Sequence, residues 1–258
     1  MRIAVAGGTG TVGRHVVDAA RERGHEVVVL TRSNGMDLIA GTGVEAALAG
    51  VDAVIDASNA NARSADAATE FFTTATRTLL AAEQAAGVGH HVTLSIVGID
   101  RAPYGYYAGK LAQERAVEAG AVPFTIMRAS QFHEFAEQML GMLSFAGLHL
   151  APRLASQPVA ASEVGQRLVH LAEHGPGGRS ADFAGPRRED VSDMVRRLAR
   201  ARGLRGPVLA VSLPGKQFAA MRRGDTLPGP DAVLASQTFE AWLGLQVAIR
   251  SHPAPPRP

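Results

Sequence analysis

The sequence predicts an α/β chain, a doubly wound parallel sheet followed by a smaller C-terminal lobe. Three observations carry that reading. Strand-like and helix-like patterns alternate through the first 130 residues. The strand-like runs, such as EVVVLTR at 26–32, are continuous instead of alternating, as expected where both faces of a strand are covered. Four glycines at positions 7, 8, 10 and 13 separate the first run from the first helical pattern. Alternation of this kind builds parallel sheets with helical crossovers.

RIAVA at 2–6 reads as a short buried strand. After the glycines, Val12, Val16, Ala19 and Ala20 share one helical face until RGH at 23–25 stops the helix. EVVVLTR is the next strand. A short strand is expected at MDLI (36–39), a short helix at VEAALAG (44–50) and a strand at DAVIDA (52–57). Phe72, Ala75, Leu79, Ala82 and Ala86 have helical spacing within a long helix over 62–86. HHVTLSIVG, YYAGKLAQERAVEA and PFTIMRA then read as strand, helix and strand. Beyond residue 130 the order loosens. Helices are expected near 131–145, 162–173 and 189–202, with a Pro-bearing extended segment between the first two. A late strand is expected at PVLAVSLPG and a last helix at SQTFEAWLGL. The division predicted is a core over 1–130, a lobe over 131–250 with late strands rejoining the core, and a disordered Pro-rich tail over 251–258.

With 258 residues, 46% hydrophobic and 19% charged, the composition is that of a globular chain. No cysteine is present, which excludes disulfides, thiolate nucleophiles and cysteine metal sites. The first strand starts at residue 2 and no apolar run reaches bilayer length, so a cytoplasmic protein without a membrane partner is expected. Net charge is only +2, although residues 187–258 hold 12 basic against 6 acidic groups. Those basic residues lack interleaved aromatics and any nucleic-acid motif, so the partner expected is a small-molecule substrate and no nucleic acid. A homo-oligomer is left open.

Gly7, Gly10 and Gly13 form GxxGxxG between a strand and a helix. The first glycine permits a tight turn, the second a close approach of pyrophosphate to backbone N–H groups, and the third close helix–strand packing. Thr9 and Thr11 add hydroxyl donors, and Val12 completes the turn into a helix N-terminus that favours anions. The alternative is a mere strand-to-helix turn. At the end of the second strand stand Thr31, Arg32 and Ser33, with no carboxylate for ribose hydroxyls. A guanidinium there can clamp a 2′-phosphate; Arg14 is a second candidate. The cofactor expected is NADP(H) in preference to NAD(H).

Tyr106 and Lys110 have YxxxK spacing, one helical turn apart on one face. An ammonium beside a phenol favours phenolate and brings the tyrosine toward proton-relay duty. The same ammonium can bond the nicotinamide ribose. The alternative is an amphipathic tyrosine with an exposed lysine, but Lys110 is one of only two lysines among 26 basic residues. Where arginine otherwise serves, a retained lysine indicates a role for a compact ammonium. Ser95, on the preceding strand, is placed to orient a substrate oxygen. HEFAE from His133 carries Glu137 where a zinc motif needs histidine, so it reads as helix surface. His90 and His91 point to opposite faces of a strand and cannot share one ion. No metal site, P-loop or GxSxG elbow is expected.

GGTGTVG, LSIVG, YYAGKLAQE and FTIMRASQFHEF together resemble the short-chain dehydrogenase/reductase superfamily, and most of all its atypical, NmrA-like NAD(P)-binding branch, over residues 1 to about 245. The resemblance implies a Rossmann-type sheet with a substrate lobe. It implies that Gly7, Gly10, Gly13 and Arg32 hold the nucleotide and that Ser58 and Asn59 lie along it. Ser95, Tyr106 and Lys110 would form the active-site set. Ser130, Gln131 and Phe132, with Phe135, would line the nicotinamide and substrate pocket. The stretch where the family has a third strand is short here, and Asp37 is the candidate for its adenine contact. The leading expectation is an NADP(H)-dependent oxidoreductase passing hydride between nicotinamide and a carbonyl or enone, with Tyr106 as acid/base. The alternatives are a non-catalytic redox-sensing regulator of the NmrA type and a sugar-nucleotide epimerase or dehydratase.

Overall fold

A computed structural model describes the chain apart from residues 63, 146 and 252–258 and the side chains of 249–251. The predicted tail therefore lies, beyond Ser251, outside the described residues.

The first half follows the predicted alternation. Its elements are β1 (Arg2–Ala6), α1 (Gly13–Glu22), β2 (Glu26–Leu30), α2 (Val44–Ala47), β3 (Ala53–Asp56), α3 (Ala65–Ala86), β4 (His90–Ile96), α4 (Tyr106–Glu118) and β5 (Phe124–Ala129). The second half contains α5 (Phe135–Met142), β6 (Ser144–Phe145), β7 (Leu148–Pro152), β8 (Ala155–Ser156), α6 (Ala161–Glu173), β9 (Gly178–Arg179), β10 (Phe183–Ala184), β11 (Glu189–Asp190), α7 (Val191–Ala201), β12 (Val208–Val211), α8 (Lys216–Arg223), β13 (Val233–Leu234) and α9 (Phe239–Ser251).

The central sheet runs β13-β10-β5-β4-β3-β1-β2, with β9 also pairing β5, and every pairing in it is parallel. The chain leaves β1 toward β2 and then returns to β3 on the other side of β1. This reversal opens a crevice beyond the carboxyl ends of β1 and β3, where open α/β sheets bind ligands. Ile3, Val5, Ile55, Val92 and Met127 pack on one face against Val16 of α1 and Val164 and Leu168 of α6. Ala4, Ala6 and Val54 pack on the other face against Val44 of α2 and Leu79 of α3. A third cluster, built on Leu154, Met194, Leu198, Phe239 and Trp242, is the core of the lobe.

Several expectations need correction. No strand forms at 36–39: the Asp37 carboxylate accepts N–H groups from Ile39 and Ala40 at 2.7 and 3.1 Å and folds the segment into a turn. The helix expected at 131–145 shortens to α5, because the residues before it are tied to a second segment and then turn: Val159 N–H donates to the Gln131 carbonyl and His133 N–H to the Val159 carbonyl. The PVLAVSLPG strand, β12, joins β6 and β7 in a separate three-stranded sheet; the strands that rejoin the core are β9, β10 and β13. The helix α6 belongs to the core in space, although it follows residue 130. A Cβ on Gly165 would lie 2.7 Å from the His15 carbonyl carbon, which is how closely α6 crosses α1. No described helix is long and apolar enough to cross a membrane.

Candidate active site

Gly7 follows β1 with φ of +72°. A Cβ there would stand 2.6 Å from the Ala57 carbonyl oxygen and 2.8 Å from Ser58 Cα, so the ends of β1 and β3 meet at a separation only glycine permits. The Gly10 N–H donates to the Gly7 carbonyl at 2.9 Å, and a Cβ on Gly13 would collide with that same carbonyl. The first turn of α1 has no side-chain cap and no acidic residue. The Arg14 and Val16 N–H groups bond the Gly10 and Val12 carbonyls; the field of the turn and its other N–H groups are left for an anion.

This turn forms one wall of a cavity of about 580 Å³. Gly7, Thr9, Gly10, Arg32, Asp37, Ser58 and Asn59 line it, together with Leu30, Phe71 and the 60–62 segment. Seven predicted cofactor residues are thus brought together by the topology. The Ser58 hydroxyl is buried without a hydrogen-bond partner among the described residues, an orphan consistent with a polar ligand. Glycine cradle, open helix terminus and orphan hydroxyl fit a dinucleotide. Among the lining residues Arg32 alone is cationic and Asp37 alone acidic. Asp37 lies below the usual carboxylate range because Ala40 and Ile39 N–H groups bond it, with the Arg32 charge helping. That turn satisfies one carboxylate oxygen, so an adenine contact is not what holds Asp37 in place.

Thr11, Val12, Gly13 and Arg14 continue into α1 and do not line this cavity. The Val12 side chain packs into the core, leaving its backbone as the part that can face phosphate. Arg14 is exposed. Ser33 faces Thr31, with hydroxyl oxygens 2.9 Å apart, and not the cavity.

Tyr106 opens α4. Its hydroxyl donates to Asn59 Oδ1 at 2.6 Å, which brings the phenol to the rim of the cavity that Asn59 lines. Its ring stands edge-on to Phe72, with centroids 5.5 Å apart. A Cβ on Gly109 would lie 2.6 Å from the Ala68 carbonyl carbon; this close α3–α4 crossing sets where Tyr106 and Lys110 sit. The predicted phenolate does not arise. Burial, then Tyr107 and the Asp56 carboxylate, push the Tyr106 phenol well above its ordinary value, so it stays protonated. Lys110 turns inward. Its Nζ donates to the Leu94 carbonyl at 2.7 Å and to Gln113 Oε1, and stands 4.7 Å from the Phe72 ring centroid. Burial brings it down to about 8, against the opposing pull of Asp56 and Glu114.

Ser95 is also corrected. It is 1% exposed and donates to Glu114 Oε1 at 2.5 Å. Glu114 is fully buried and takes both Arg128 Nε and Nη2, at 2.9 and 2.8 Å, and Arg179 at 2.9 Å. Ser95 shares a strand face with His91 and Thr93. Its hydroxyl serves the ion network that joins α4 to β4 and β5, and is not presented to a substrate.

The predicted substrate-pocket residues do not line the cavity either. The buried Ser130 hydroxyl donates to the Gln157 carbonyl at 2.6 Å, Gln131 is half-buried, Phe132 packs against the core and Phe135 against the lobe cluster. His133 is not on a helix surface: it is fully buried between Phe239 and Trp242, and burial brings it down to about 4. His90 bonds Thr125 at 2.9 Å and His91 bonds Glu83 at 2.7 Å, on opposite faces of the sheet. His170, Glu173 and His174 are close enough for a metal, but Arg23 and His25 occupy the two Glu173 oxygens at 2.6 and 2.8 Å. Two residues the sequence reading passed over are Asp56 and Gln113, both buried beside Lys110. The available signal was a carboxylate closing the apolar run AVI immediately before Ser58 and Asn59.

A parallel sheet with a glycine cradle at its switch point defines a Rossmann-type α/β fold. The sequence profile of a family described as NAD(P)H-binding matches residues 36–161. The photosystem II assembly factor Ycf39 of Synechocystis is 36% identical over 111 residues, which are 38% of this chain and 34% of that protein, so the alignment spans about a third of that relative. A short-chain dehydrogenase/reductase superfamily protein from Agrobacterium tumefaciens, solved with bound NAD, has a TM-score of 0.70 at 20% identity, covering 97% of each chain. The NADPH-dependent quinone oxidoreductase QOR2 of Escherichia coli, solved with NADPH, has a TM-score of 0.72 at 16% identity, covering 95% of this chain and 99% of that one. The chain has the Rossmann-type α/β fold of these solved structures, and its residues 36–161 are similar to a family described as NAD(P)H-binding.

Proposed function

We propose that this chain is an NADP(H)-dependent reductase of a small carbonyl, enone or quinone compound. The observation that carries the reading is the 2.6 Å hydrogen bond from Tyr106 to Asn59, which holds a proton-bearing phenol on the rim of the nucleotide cavity. A phenol pushed upward by burial keeps its proton at neutral pH, so it is placed to give that proton when a carbonyl is reduced. The reduced nicotinamide, when bound, supplies the hydride. Tyr106 gives its proton to the substrate oxygen, and the Asn59 amide holds the phenol in place until it does. The glycine turn and the N-terminus of α1 bind the pyrophosphate through N–H groups other than those of Gly10 and Arg14, which bond within the turn, and Arg32 pairs with the 2′-phosphate.

The likeness to QOR2, which was solved with NADPH, supports the choice of cofactor and of a quinone in the substrate panel. The test is titration with NADPH and NADH, then nicotinamide absorbance with ketones, enones and quinones. Tight NADPH binding with substrate-dependent oxidation that vanishes in Tyr106→Phe supports the reading. Binding of both redox forms without turnover across the panel refutes it and favours a redox-sensing regulator.

A further inference from the structure

Lys110, Gln113 and Asp56 are 4%, 0% and 1% exposed. Lys110 Nζ donates to Gln113 Oε1, Gln113 Nε2 donates to Asp56 Oδ2 at 2.8 Å, and Asp56 Oδ1 accepts the Ser58 N–H at 2.8 Å. The orientation of the amide follows from chemistry: an ammonium only donates and a carboxylate only accepts, so Gln113 must turn its oxygen to Lys110 and its nitrogen to Asp56. Burying such groups is costly, and an apolar trio would join α4 to the sheet more cheaply. The chain of bonds also closes on itself. From Ser58 the backbone leads to Asn59, Asn59 accepts Tyr106, and one turn of α4 leads from Tyr106 back to Lys110.

We propose that Asp56 and Gln113 are positioning residues that hold the Lys110 ammonium and lock it to the 57–59 loop of the nucleotide cavity. The inference deepens the reductase reading, on which its functional meaning rests, but the bonds can be tested without turnover. The groups facing Lys110 are Asp56 of β3, Glu114 of its own helix, the Phe72 ring of α3 and the Leu94 carbonyl of β4. Glu114 is itself neutralised by Arg128 and Arg179. The Glu83–His91 pair also feels the Asp56 charge. Asp56 is therefore the anion that supports the Lys110 charge through the amide.

The sequence contains only Lys110 and Lys216 as lysines, so lysine labelled with carbon-13 at Cε gives two signals, and Lys216→Arg assigns them. In the wild type the Lys110 signal titrates near 8, where burial and Asp56 set it. Asp56→Asn lowers that midpoint by roughly one unit. Gln113→Met lowers it in the same direction although Asp56 is intact, and both variants weaken NADPH binding severalfold. A midpoint unmoved by Gln113→Met overturns the inference, because bare attraction across space needs no amide. If Asp56→Asn fails to fold, Gln113→Met alone decides. Shifted midpoints in a protein that reduces nothing uphold the positioning role and remove the reductase reading.

Discussion

Glu114→Gln is the most informative single change to the scaffold. The wild-type carboxylate is fully buried and accepts from Ser95, from Arg128 twice and from Arg179. Glutamine keeps the shape but turns a donor toward two guanidinium groups. Arg179 is 43% exposed in its side chain and contributes little. Arg128 is 16% exposed and keeps the remaining amide oxygen and, as its charged partner, Asp100, at 3.1 Å on a half-exposed side. Leaving a largely buried charge short of its partner costs about 3 kcal/mol. Urea unfolding of both proteins at pH 7, read by linear extrapolation, measures the difference. The acid limb gives a second reading. Burial raises the Glu114 carboxyl, but the bonds from Arg128 and Ser95 and the two arginine charges outweigh it and hold it below its ordinary value of 4.5. Its contribution is therefore present above about pH 4.5 and lost as pH falls through the lower folded value. The variant should lack that part of the acid slope. A loss below about 1 kcal/mol with an unchanged acid limb would refute the account and reopen Ser95 as a substrate-facing group.

Tyr106→Phe should cut turnover on the order of 100-fold or more while leaving NADPH affinity, measured by fluorescence titration, nearly unchanged. Arg32→Ala should weaken NADPH binding by about 2 kcal/mol, the value of a charge-assisted bond, and leave NADH binding alone; equal losses for both cofactors would exclude Arg32 as the 2′-phosphate contact. Burial holds His133 near 4 against an unfolded value near 6.5, so its neutral form supports folding fully above pH 6.5 and support is lost as pH falls toward 4. Stability profiles should show that loss in the wild type, and His133→Phe should remove it.

The crevice was legible because its parts are consecutive. Glycines spaced along a strand–turn–helix unit act through backbone geometry, and Gly7, Gly10 and Arg32 arrive at one cavity with Asn59. Tyr106 was legible for a related reason: helical spacing fixes which residues share a face. What each side chain on that face touches depends on elements far away in the chain. Lys110 meets Leu94 and Gln113 in place of Tyr106, and Ser95 meets Glu114 and Arg128, because β4 and α4 turn their polar groups toward each other across the sheet face. Ser130 and Phe132 were drawn away from the cavity by the 157–159 segment, whose pairing no local pattern announces.

The amino-acid sequence by itself determined the order of strands and helices in the first half, the parallel sheet and the glycine turn, since each follows from periodicity and backbone chemistry within some twenty residues. The tertiary structure alone decided that α6 packs on the core, that the late strands rejoining the core are β9, β10 and β13 and not PVLAVSLPG, that Lys110 faces inward, and that Asp56 joins it to the nucleotide loop. Those outcomes depend on which buried polar groups find partners across long sequence separations, and hydrogen bonds in a desolvated interior are specified by three-dimensional neighbours and not by spacing along the chain.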